Sequence, residues 1–155
     1  MVGSTVNPYQ STTYRIPSVR HPLAHFRRVH RCLLVDDDDD SREAYAEYLR
    51  GFGYEVQALG DSRNAMSAVV THRPDVVLVD LQMPHVDGFE LIRLIKARPG
   101  PAVPVIVISA CVYATDRALA EAAGCDAFLP KPVLPHDVLE KIRMLLPPST
   151  QGGKT

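Results

Sequence analysis

Val76-Val77-Leu78-Val79-Asp80-Leu81-Gln82-Met83-Pro84 decides the fold of this chain. Four apolar residues, three of them β-branched, run without alternation and stop at an aspartate. A strand that is apolar at every position fits burial on both faces, as in the middle of a parallel sheet. Just beyond it, Asp87-Gly88 opens a helix with Leu91, Ile92 and Ile95 on its inward face.

The same alternation extends in both directions. Upstream, Cys32-Leu33-Leu34-Val35 is an apolar run that ends in aspartates. A helix follows, with Tyr45, Tyr48, Leu49 and Phe52 on one face, Asp39 or Asp40 as its cap, and Gly51 and Gly53 as breakers. Tyr54 to Ala58 reads as a strand, and Asp61 or Ser62 caps a helix running to about Thr71. Downstream, Val103 to Ile108 is a strand, and an alanine-rich helix spans about Thr115 to Ala123, with Leu119 as its large apolar anchor. Ala127-Phe128-Leu129 is a short last strand. Pro135 suits the first turn of a helix that buries Val138, Leu139, Ile142, Leu145 and Leu146. Strands alternating with helices predict an α/β fold, a doubly wound parallel sheet covered on both faces. Such open sheets bind ligands beyond the carboxyl ends of their strands.

The residues that end the apolar runs therefore share one edge. They are Asp36 and Asp37, Asp80, Ser109 and, just after the last strand, Lys131. Two carboxylates ~4 Å apart repel by about 4 kcal/mol at an effective dielectric near 20. A fold that gathers three must neutralise them. Oxygen-only ligands, without His or Cys, favour a hard divalent cation, magnesium first. The lysine and hydroxyl suit the remaining oxygens of a phosphoryl group.

LLVDDD, VLVDLQMPHVDG, VIVISA and FLPKP closely resemble, in order and spacing, the motifs of bacterial response-regulator receiver domains over about residues 30–146. The resemblance implies the flavodoxin-like fold, five parallel strands in the order 2-1-3-4-5 with five helices. It implies that Asp80 accepts a phosphoryl group, with Ser109 and Lys131 as its catalytic partners. Asp37 and Asp80 bind Mg²⁺ directly, Asp36 helps through water, and the Gln82 carbonyl is a further ligand. It also implies a cis Lys131–Pro132 bond, an aromatic switch at Phe128, and a signalling surface on the fourth helix, fifth strand and fifth helix, which is a common dimer face in the family. A sensor histidine kinase or phosphotransfer protein is the implied donor, and an unidentified protein the downstream target.

Composition narrows the alternatives. The chain has 155 residues, 46% of them apolar, and net charge −1. That suits one domain with short tails. Residues 1–35 hold five arginines and no acid, whereas residues 36–155 carry a net charge of −6. Residues 1–29 read as a flexible basic leader and 147–155 as a disordered tail. The acidic remainder argues against nucleic-acid binding by the domain, and no apolar run is long enough for a membrane span. Cys32, Cys111 and Cys125 form no CxxC pair, so a reducing cytoplasmic setting fits, with Cys32 and Cys125 as small core residues. The reading is a stand-alone receiver that catalyses only its own phosphorylation and dephosphorylation. Its rivals are a phosphate-independent interaction module of the same shape and, with less support, an aspartate-nucleophile phosphatase, for which FLPKPVLP offers no second acidic motif.

Overall fold

The computed structural model describes residues 28–110 and 113–147. Most of the leader read over 1–29, the tail beyond Pro147, and Cys111 lie outside them. The described chain alternates β1 (Arg31–Val35), α1 (Asp39–Gly51), β2 (Glu55–Leu59), α2 (Ala65–His72), β3 (Val76–Val79), α3 (Gly88–Lys96), β4 (Val105–Ser109), α4 (Ala114–Ala123), β5 (Ala127–Pro130) and α5 (Pro135–Leu145). The strands form one sheet in the order β2-β1-β3-β4-β5, all pairs parallel. This is the doubly wound, flavodoxin-like arrangement the motifs imply.

Alternate strand residues face opposite sides, so each apolar run feeds two cores. Leu33, Val35, Val77, Val79, Val105 and Val107 pack with α2, α3 and α4 on one side. Cys32, Leu34, Val76, Leu78, Ile106 and Ile108 pack with α1 and α5 on the other. Each fully buried Leu, Ile or Val stabilises by roughly 1.5–3 kcal/mol before conformational entropy is counted. Burial pushes the Cys32 thiol up to about 12, which makes it a core residue and not a reactive one. Cys125 is half-buried.

Several boundaries differ from the sequence reading for local reasons. Of the run Asp36–Asp40, it is Asp38 that caps α1, accepting from the Ser41 amide at 2.8 Å. That leaves Asp39 and Asp40 in the first turn, where the helix dipole favours acids. Asp61 caps a single 3-10 turn, Ser62–Asn64, which precedes α2. β4 begins at Val105 and not Val103, because Pro104 has no N–H to give a ladder. Phe52 is exposed and packs against Tyr48 and under the Arg143 guanidinium. Leu119 does not anchor α4: it is 53% exposed, while Ala120 and Ala123 make the buried face. α4 therefore buries still less apolar area than its composition suggests. Among the described residues no helix is long and apolar enough to cross a membrane.

Candidate functional site at the carboxyl edge of the sheet

The sheet register assembles the site. Val35 lies opposite Val79, so the next residue of each strand, Asp36 and Asp80, emerges at the same height. The Asp36 amide donates to Leu59 O at 3.0 Å, and the Asp80 amide to Val35 O at 2.9 Å. Ser109 closes β4 opposite Pro130, which places Lys131 next to it; the Lys131 amide donates to Ser109 O at 2.9 Å. The Lys131–Pro132 bond is cis.

Lys131 ties the acids together. Its Nζ donates to Asp36 Oδ2 at 2.8 Å and to Asp80 Oδ2 at 3.1 Å. The other oxygens are held by backbone amides, Asp36 Oδ1 by Asp38 N and Asp80 Oδ1 by Gln82 N, each at 2.9 Å. Asp36, Asp80 and Ser109 are buried and Asp37 is exposed at the mouth. Gln82 joins through its amide while its side chain points outward. All the sequence-predicted site residues thus meet at one edge.

Burial raises the Asp36 pKa above the usual carboxylate range, although the Lys131 hydrogen bond opposes it. For Lys131, burial works against the charge, but the hydrogen bond to Asp36 and the charges of Asp80 and Asp36 outweigh it and hold the ammonium on. One lysine thus compensates buried charge only in part. Carboxylate oxygens of Asp36, Asp37 and Asp80 lie within 4.8 Å of one another, a spacing that can hold a metal ion. The donors are all oxygens, so a hard cation fits them and a soft one does not.

The loop between β3 and α3 is tightly held. Ser62, read from sequence only as a helix cap, is buried; its hydroxyl donates to Pro84 O at 2.9 Å and accepts from Val86 N at 3.2 Å. No sequence pattern marks that role. His85, exposed in the same loop, adopts φ +79°. Gly88 starts α3 against the backbone: an added Cβ would stand 2.8 Å from Leu81 Cα and 3.1 Å from Asp80 O. Gly88→Ala is expected to destabilise the domain by about 1–3 kcal/mol in urea unfolding, because neither contact can yield without moving the segment after Asp80.

Strand order reverses between β1 and β3, the switch point where open α/β sheets bind ligands. The described chain is thus a doubly wound α/β domain with an acidic, lysine-bridged cluster at that point. The sequence profile of the response regulator receiver domain matches residues 32–143. The chain belongs to that family. It is 36% identical over 116 residues to the response regulator MprA of Mycolicibacterium vanbaalenii, covering 75% of this chain and 50% of that protein. It is 34% identical over 116 residues to the DNA-binding response regulator MtrA of Mycobacterium tuberculosis, again covering 75% and 50%. The chain spans about half the length of the curated relatives it matches. Among solved structures, the chemotaxis response regulator CheY4 of Vibrio cholerae superposes with TM-score 0.71 at 26% identity, covering 76% of this chain and 99% of that one. A CheY-like receiver domain protein from Methanospirillum hungatei gives 0.72 at 29% identity, covering 81% and 99%. The described domain is a receiver domain of two-component signal transduction, a family whose standard role is to be phosphorylated by a histidine kinase.

Proposed function

We propose that Asp80 accepts a phosphoryl group from a sensor histidine kinase or phosphotransfer protein. The observation that carries this reading is Lys131 Nζ bridging Asp36 and Asp80, which puts a half-buried cation beside a buried nucleophile. An Asp80 carboxylate oxygen forms a bond to phosphorus. The P–N bond of a phosphohistidine breaks, and the imidazole leaves with the electron pair. Ser109 at the end of the neighbouring strand β4, and Lys131 just after β5, serve the oxygens of the transferred group. Asp37 and Asp80 with the Gln82 carbonyl would hold Mg²⁺, with Asp36 as their acidic neighbour. When bound, the ion supplies neutralising charge to the carboxylates and the phosphoryl oxygens. The chain turns over nothing but its own phosphoryl group.

The signal leaves through α4, β5 and α5. Tyr113 and Leu119 stand 73% and 53% exposed there, and Phe128, half-buried on β5 against the core under α3 and α4, is the residue that responds to Ser109. This face contacts a downstream protein or a second receiver. The protein works in the cytoplasm, without nucleic acid or membrane contacts of the domain itself.

Intact-mass measurement after incubation with acetyl phosphate and Mg²⁺ tests the reading. One phosphoryl adduct is expected, lost with chelator and in Asp80→Asn. No adduct from either acetyl phosphate or a cognate kinase would leave the phosphate-independent interaction module as the better function.

A further inference from the structure

Arg42 stands on α1 six residues beyond Asp36, and its guanidinium turns back toward the site. Nη1 donates to the Asp36 carbonyl at 2.8 Å, and Nη2 pairs with Asp39. The side chain is only 21% exposed. It lies against Gly60, just past the end of β2: a Cβ added there would stand 2.7 Å from Nη1, 3.0 Å from Cζ and 3.4 Å from Nη2. Gly60 is not one of the positive-φ glycines, so its backbone suits any residue. What a side chain at 60 would displace is this guanidinium.

A surface ion pair would need neither a backbone carbonyl nor a seat. Arg42 has both, and it spans the ends of β1 and β2 at the turn that presents Asp36 and Asp37. We propose that Arg42, seated on Gly60, is a positioning residue for the metal site: it fixes the Asp36–Asp37 turn so that both carboxylates face Asp80. This inference rests on the receiver reading above. Its sign separates it from plain electrostatics. By charge alone, removing a cation beside three carboxylates would tighten the binding of Mg²⁺. By position, removing it loosens the turn and weakens binding.

The test is Mg²⁺ titration of the full chain, followed by calorimetry and by amide NMR shifts, for wild type, Arg42→Ala, Gly60→Ala and the double variant. Outer partners of metal ligands typically matter by 10–100-fold, so each single variant is expected to bind Mg²⁺ about tenfold more weakly. The double variant is expected to be no weaker than Arg42→Ala alone, because both changes remove one interaction. With acetyl phosphate, the Mg²⁺ concentration for half-maximal labelling rises while the rate at saturating Mg²⁺ recovers. Gly60→Ala displaces only a side-chain tip, so it carries the test if Arg42→Ala folds poorly. Unchanged or tighter Mg²⁺ binding in Arg42→Ala, or additive losses in the double variant, would overturn the inference alone. No Mg²⁺ binding by the wild-type protein would overturn the site reading and the inference with it.

Discussion

Lys131→Ala is expected to be both less stable and nearly inactive as a phosphoacceptor. The lysine is 16% exposed, and its partners Asp36 and Asp80 are 2% and 7% exposed. Removing one member of a buried ion pair strands the other, at a cost of about 3–5 kcal/mol. Urea unfolding at neutral pH measures it. The deficit has a pH signature. The folded pKa of Asp36 is already raised by burial, and losing the lysine raises it further. A group with a raised folded pKa contributes fully below its unfolded value, and that contribution is lost as pH rises through the folded value. The variant therefore recovers stability on acidification, as Asp36 takes up a proton and no longer needs a counter-charge. A deficit equal at acidic and neutral pH would mean that Lys131 supports the fold by packing alone. Phosphorylation by acetyl phosphate is expected to slow about a hundredfold, the usual scale for removing one electrostatic partner of a transferring group.

The second large effect is stabilisation by magnesium. Carboxylate oxygens of three aspartates, two of them buried residues, lie within 4.8 Å of one another, so a cation between them would offset their mutual repulsion. A cation that binds only the folded chain at about a hundred times its dissociation constant adds about 2.7 kcal/mol. For a chain of this size that raises the melting temperature by about 5–10 °C. Chelator should abolish the rise, and Asp37→Ala should cut it while leaving the metal-free melting temperature little changed, since Asp37 is exposed. The rise should also shrink as pH falls and protons compete for the carboxylates. A melting temperature indifferent to Mg²⁺ would remove the metal from this site.

The sheet was legible because its strands carry the information twice. Val76–Val79 and Val105–Ser109 are apolar at nearly every position, which requires cover on both faces, and each stops at the residue that serves the site. The convergence of Asp36, Asp80, Ser109 and Lys131 follows from parallel register alone. What could not be read depends on three-dimensional choices among equivalent residues. Five consecutive aspartates offer several caps, and only backbone geometry selects Asp38. A lone leucine among alanines looks like an anchor, but the phase of α4 turns Ala120 and Ala123 inward and leaves Leu119 out. Arg42 and Ser62 act through backbone carbonyls and amides that are close only after folding, so no spacing rule announces them.

The pairing of α1 with α5 across one face of the sheet also has a meaning in time. Tyr45 on α1 donates its hydroxyl to Val133 O at 3.1 Å, a partner 88 residues further along the chain. Leu49 and Ala46 share a core with Val138, Leu139 and Ile142. At a synthesis rate of roughly 5–20 residues per second, α1 emerges from the ribosome about 4–18 s before the helix that covers it. Throughout that interval the apolar stripe of α1 faces solvent or whatever chaperone meets it. The opposite core is less delayed, since α2 and α3 are made soon after β1 and β3. The last helix of the described domain thus covers the first, and a ribosome that stalls before α5 leaves a sheet finished on one side and open on the other.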